Sequence, residues 1–270
     1  MNNTSQEEQH IIPLPPTGGA RGGSSNGMHR YFIYLSYDGT NYHGWQIQPN
    51  ACSVQGEIER CLSTVMRKPI SIVGAGRTDT GVHARMMAAH FDTDSAVDCG
   101  QLTFRLNRML PPDIAIHSIE PVAADMHARF SAIARTYHYY IHTRKEPFCR
   151  QYSLETHYKL DFEAMNQAGQ YLTTVSDFAA FCKIGSDVKT TICDVRVARW
   201  IETAPGEWYF EITADRFLRN MVRAVVGTLI DVGRGKLTYE DFKAIVASRK
   251  RTEACESMPA HALFLEMVEY

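Results

Sequence analysis

Strand-like and helix-like segments follow one another in the order β-α-β-β-α-β between about residues 31 and 119, and few architectures accept that order. Tyr31 to Tyr37 is aromatic and β-branched and stops at the turn Asp38-Gly39-Thr40. Ser53 is placed to cap a helix running to about Met66, with Val54, Ile58, Cys61, Leu62 and Val65 on one face. Pro69 to Val73 and Met86 to Phe91 read as two strands around a glycine-rich turn, followed by a helix near 99–110 and a strand over Ile114 to Ile119. This is the split βαβ, or ferredoxin-like, unit: an antiparallel sheet with both helices on one face. A similar order recurs. Ala132 to His142 reads as a strand, Phe162 to Leu172 as a helix, Ile192 to Glu202 and Trp208 to Thr213 as a strand pair, Phe217 to Val232 as a long helix, and Leu263 to Val268 as a closing strand. The expected fold is therefore α+β, with two ferredoxin-like halves joined into one extended mixed, mostly antiparallel sheet. Helices pack on it and a central cleft lies between the halves.

Residues 1–28 carry Pro13, Pro15, Pro16 and then a Gly/Ser-rich run without amphipathic period, and are expected to be a disordered tail. Met28 as the physiological start is left open. The remainder divides into an N-terminal half, 29–131, and a C-terminal half, 132–270. At 44% hydrophobic and 21% charged, a chain of 270 residues can bury one large or two modest cores. No apolar run approaches the roughly 18 to 20 residues of a spanning helix, and the first residues lack the pattern of a secretory signal, so the expected address is the cytoplasm, with no membrane contact. Seven cysteines without a Cys-x-x-Cys pair, and 11 scattered histidines, predict reduced thiols and no metal. The net charge of −2 hides basic clusters at Arg105/Arg108, at Arg135 with Arg144, Lys145 and Arg150, at Arg216/Arg219/Arg223 and at Arg234/Lys236. A one-sided basic surface can hold phosphates even on a near-neutral protein.

The turn between the first strand pair, Gly74-Ala75-Gly76-Arg77-Thr78-Asp79-Thr80-Gly81-Val82-His83-Ala84, sets one carboxylate among glycines with an arginine two residues before it. By itself this reads most simply as a turn aspartate, with Gly76 and Gly81 supplying positive φ. Two other segments alter that reading: Ala134-Arg135-Thr136-Tyr137-His138-Tyr139, and Phe217 to Gly227 with Arg219 and Arg223. Alternation along a strand sends Tyr137 and Tyr139 to one face, so either ring is a candidate, and either is as readily core.

Together with Tyr37-Asp38-Gly39-Thr40-x-Tyr42-x-Gly44-Trp45-Gln46, these motifs resemble the TruA family of tRNA pseudouridine synthases, from about residue 30 to Tyr270. The resemblance implies cofactor-free isomerisation of uridine to pseudouridine at positions 38, 39 and 40 of the tRNA anticodon stem-loop, by a homodimer with tRNA lying across both subunits. It implies Asp79 as catalytic nucleophile, Arg223 as the cation paired with it, Tyr137 as the ring stacked on the target uracil, and Arg77 as a residue that takes hold of the flipped nucleotide. The reverse assignment of Arg77 and Arg223 remains open. Cys255 and Met258 stand in a segment where the family is richer in glycine and alanine, and are expected to alter the pocket wall without touching the acid. Two alternatives stand beside this: a non-catalytic tRNA-binding protein on the same scaffold, and a pseudouridine synthase acting on other RNA sites.

Overall fold

The computed structural model describes residues 27–270. The expectation of a tail over 1–28 therefore falls outside the described residues, save Gly27 and Met28, which lead into the first strand. In chain order the elements are β1 (His29–Tyr37), α1 (Val54–Met66), β2 (Val73–Gly74), β3 (His83–Thr93), α2 (Cys99–Met109), β4 (Ile114–Val122), β5 (Ala134–His142), β6 (Leu154–Glu155), α3 (Phe162–Tyr171), β7 (Val195–Ala204), β8 (Glu207–Ala214), α4 (Met221–Gly233), α5 (Tyr239–Ser248) and β9 (Leu263–Glu269).

These strands form one nine-stranded sheet in the order β4-β1-β3-β9-β5-β8-β7, with β2 on β3 and β6 on β5. Its first four-stranded unit has the order β4-β1-β3-β2 and its second β9-β5-β8-β7, the arrangement expected of two split βαβ units. They meet at β3 and β9, which pair in parallel through only His83↔Phe264 and Ala84↔Leu265. Farther along β3 the same edge is taken by β2, through Val73↔His90 and Gly74↔Ala89. The segment joining β2 to β3 therefore emerges where the two units abut.

Side-chain pattern explains the packing. Val54, Ile58, Cys61 and Leu62 recur at helical spacing in α1 and are buried, and the Ser53 side chain caps the helix by accepting from the Gly56 N–H. One apolar cluster gathers α1, α2, β1, β3 and β4 with Leu265 and Val268 of β9; a second gathers α3, α4, α5, β5, β7 and β8 with Val82 and Leu263. Tyr137 packs against both.

Three local expectations change. The strand expected over Pro69 to Val73 shrinks to Val73-Gly74, because polar side chains of α1 take up the backbone: the Ile70 N–H donates to Ser63 Oγ (2.9 Å), the Ile72 N–H donates to Glu59 Oε1 (2.9 Å), and Gln55 Nε2 donates to the Ile72 carbonyl (3.0 Å). The helix expected from Phe217 starts at Met221, since Asn220 takes a left-handed conformation (φ 65°) and leaves Phe217 to Arg219 in a turn. Finally, α5 escaped the sequence reading although Thr238 and Asp241 form a capping box and Phe242 and Val246 are buried at i, i+4.

Candidate active site

The loop from Ala75 to Val82 is held from below by the segment following β1. The Trp45 N–H donates to the Thr78 carbonyl (3.3 Å), and the Gly81 N–H donates to that of Tyr42 (3.4 Å). Tyr37 Oη and Thr78 Oγ1 lie 2.8 Å apart. Contact is so close that a Cβ on Gly44 would stand 2.3 Å from the Thr78 carbonyl oxygen, and one on Gly39 would stand 2.0 Å from that of Val82. Gly44 also has φ +88°, a conformation other residues rarely adopt. Only one of the two loop glycines expected to need positive φ does so: Gly81 (φ 77°) and not Gly76, whose missing Cβ faces open space.

So braced, the loop presents Asp79 to two arginines from the other unit. Arg223 Nη1 lies 3.4 Å from Asp79 Oδ2, with the side chains 21% and 29% exposed. Arg219 Nε lies 4.0 Å from Asp79 Oδ1. Arg223 is itself held, its Nε donating to the Met258 carbonyl at 2.6 Å while the Met258 N–H donates back to the Arg223 carbonyl at 3.1 Å. Met258 therefore acts on the acid through Arg223, by its backbone. A guanidinium on a mainly buried helix such as α4 needs this compensation, because an unpaired buried charge is expensive.

The structure separates the two candidate tyrosines. Tyr139 is fully buried, and its hydroxyl donates to the Pro259 carbonyl (3.0 Å). Tyr137 lies in the cleft that holds Asp79, half-buried, with Phe217 edge-on at 5.1 Å between ring centroids. Burial first, with the Asp79 charge adding, pushes the Tyr137 hydroxyl up to about 12, while Arg135 opposes the shift. At neutral pH it is a phenol, able to donate a hydrogen bond and seldom a phenolate.

Arg77 is exposed on the same cleft and makes no ion pair or hydrogen bond with any described residue, which leaves its guanidinium free. Arg135, counted at first among surface cations, is instead a clamp. Its Nη1 donates to the carbonyls of Ala132 (3.1 Å) and Asp215 (2.7 Å), and its Nη2 to those of Ala75 (3.0 Å) and Arg129 (2.6 Å). Arg219 as a second neighbour of Asp79 was not anticipated. Its signal was the Arg219-x-x-x-Arg223 spacing, which sets both guanidiniums on one face of the helix expected from Phe217.

The cleft encloses about 2350 Å³ and is lined by ten Lys or Arg residues against four Asp or Glu, so its field is positive although the whole chain is near neutral. Arg216, Arg219 and Arg223 contribute as expected; Arg105/Arg108, Arg144/Lys145 and Arg234/Lys236 lie elsewhere, and Lys183, Lys189, Arg196 and Arg251 join although they stand in none of the basic clusters read from the sequence. Among the described residues no cluster of His, Cys, Asp or Glu could hold a metal ion, the seven cysteines are free, and no helix is long and apolar enough to cross a membrane.

Fold and site together define a class of protein: two ferredoxin-like units with a cation-lined groove between them, in which Asp79 is flanked by arginines and an aromatic ring. A family model described as tRNA pseudouridine synthase matches residues 33–131 and 168–270. The chain is 55% identical over 246 residues to the tRNA pseudouridine synthase A of Porphyromonas gingivalis, covering 90% of this chain and 98% of that one. It is 53% identical over 245 residues to that of Bacteroides thetaiotaomicron (90% and 91%) and 42% over 248 residues to that of Acetivibrio thermocellus (90% and 100%). The chain belongs to the tRNA pseudouridine synthase family.

Proposed function

We propose that this protein isomerises uridine to pseudouridine in tRNA, at positions 38, 39 and 40 of the anticodon stem-loop, with Asp79 as the nucleophile. The observation that carries this reading is Asp79 held between Arg223 and Arg219 in a cation-lined cleft beside Tyr137. In the reaction the N1–C1′ bond breaks, the uracil turns, a C5–C1′ bond forms, the C5 proton leaves to solvent and N1 regains a proton. An ionised carboxylate suits the detached sugar, since it can attack or stabilise an electron-poor C1′ or take a proton from C2′, and can later be released. Arg223 keeps that charge tolerable where water is scarce. Tyr137 stacks on the extruded uracil, and as a neutral phenol it orients the base by donating a hydrogen bond. Arg77, exposed and without an ion pair or hydrogen bond among the described residues, meets a phosphate or fills the vacated stack. No step requires a cofactor or metal. Residues 29–131 supply the acid and 132–270 the tyrosine and Arg223, so catalysis needs both halves. The resemblance to the TruA family further supports a cytoplasmic homodimer that combines its basic surfaces on one tRNA.

Tritium release from tRNA carrying 5-tritiated uridine tests the activity, comparing wild type with Asp79→Asn. Release that survives the substitution refutes the role of Asp79, release mapped outside the anticodon arm refutes the substrate positions, and no release from the wild type leaves a binding protein. A clean monomer by light scattering at micromolar concentration refutes the dimer.

A further inference from the structure

Phe130 is 76% exposed at the wall of the same cleft, an unusual place for an aromatic ring of a water-facing surface. Its position is nevertheless fixed. The ring packs on His127 at 4.3 Å between centroids, and His127 in turn meets buried His90 edge-on at 4.6 Å. His127 Nδ1 accepts from the N–H groups of Arg129 (3.1 Å) and Phe130 (3.3 Å), and the Ser131 hydroxyl accepts from the His127 N–H (2.9 Å). The turn is also tied to the aspartate loop, since Arg135 Nη2 bonds the carbonyls of Arg129 and Ala75 together, four residues before Asp79. Arg129 stands over the Phe130 ring at 5.5 Å. An exposed ring pre-ordered in a groove dominated by cations has the two elements that hold single-stranded nucleic acid: a stacking face, and charge for the backbone.

Resting on the function proposed above, we propose that Phe130, with Arg129, forms a second stacking site that receives an unpaired base of the RNA beside the target uridine and so positions the strand for extrusion. It makes no contact with the reacting atoms and acts by holding the strand. A π-face is what the site offers, so shape alone should not replace it.

The test uses the full chain, with Phe130→Leu, which keeps an apolar side chain without a ring, and Phe130→Trp, which keeps the stacking face. Phe130→Leu should weaken equilibrium binding of the tRNA transcript about 5- to 150-fold, the range for one lost base–aromatic stack. Phe130→Trp should stay within about twofold of wild type by the same stacking argument. Both should melt with the wild type, and their affinity for inorganic polyphosphate should be unchanged. Wild-type binding by Phe130→Leu overturns the site, as does equal weakening by both variants or a parallel loss of polyphosphate binding. A fall in oligomeric mass of Phe130→Leu overturns it too, making the ring part of a contact between copies. Wild-type tritium release reports the function itself and the binding ratio reports the stacking site, so each can fail alone.

Discussion

Replacing Arg135 by alanine removes a guanidinium that bridges four main-chain carbonyls, drawn from the aspartate loop (Ala75), the linker between the units (Arg129 and Ala132) and the turn before α4 (Asp215). Hydrogen bonds from a charged donor contribute about 1.5 to 3 kcal/mol each, but four of them do not add. One, to the Arg129 carbonyl, is exposed, so that acceptor regains water once the side chain is gone, and another, to Ala132, is the longest at 3.1 Å. The guanidinium also gives up the desolvation that already holds its proton affinity below the usual arginine range. Counting only the two part-buried bonds that remain, to Asp215 (2.7 Å) and Ala75 (3.0 Å), at the low end of that range because they do not add and the desolvation is relieved, gives a loss of about 3 to 4 kcal/mol. At about 2 to 4 °C per kcal/mol for a chain of this size, the melting temperature should fall by about 6 to 16 °C in calorimetry. Arg135→Lys should lose part of this, because one ammonium cannot span a fork of acceptors. Arg77→Ala, at an exposed arginine without partners among the described residues, is the control and should stay within about 0.5 kcal/mol of wild type. A melting shift below about 2 °C for Arg135→Ala, or Arg135→Lys matching wild type, would refute the clamp.

Arg77→Ala should chiefly raise KM for tRNA, and Arg223→Met chiefly lower kcat; steady-state kinetics showing the reverse would exchange their roles. Gly44→Ala should destabilise by about 1 to 3 kcal/mol through its contact with Thr78 and its positive φ, with turnover falling at temperatures where the fold persists. His90 is buried, and that burial together with the Arg30 charge lowers its proton affinity to about 4, below the ordinary value near 6.5. The unfolded chain therefore binds the proton first, so stability is complete above about pH 6.5 and is lost as pH falls toward 4. Urea titrations across that window should show a flatter slope for His90→Gln, and an unaltered slope would remove His90 as the cause. Affinity for tRNA should fall steeply with salt, and filter binding insensitive to salt between 50 and 200 mM would rule out the cation-lined cleft as the RNA surface.

Much of the fold was legible because its signals are local. Helix α1 announced itself through Ser53 and a 3.6-residue apolar period, and β1 through its aromatic and β-branched run. Where expectation and structure differ, a partner outside the segment takes part: Glu59 and Ser63 claim the N–H groups of Ile72 and Ile70, and Asn220, whose amide donates to the Ser257 hydroxyl, takes the left-handed conformation that delays α4. The helix α5 was missed for a different reason, its apolar face being only two buried residues long.

The candidate site divides in the same way. Element order, the Asp79 loop and the motifs around Tyr137 and Arg223 follow from the chain alone, since each depends on residue type and spacing within a few neighbours. Which tyrosine faces the cleft was settled by packing, because Tyr137 and Tyr139 share a face of β5 and only the second is sealed by the loop that ends at Pro259. Which arginines meet the acid and which grip carbonyls was settled there too, since charge alone cannot tell Arg135 from Arg219. Only tertiary structure sets a guanidinium against its partner, because the partners lie 144 residues apart for Arg223 and Asp79 and 60 for Arg135 and Ala75, and are brought together by the abutment of two sheet units.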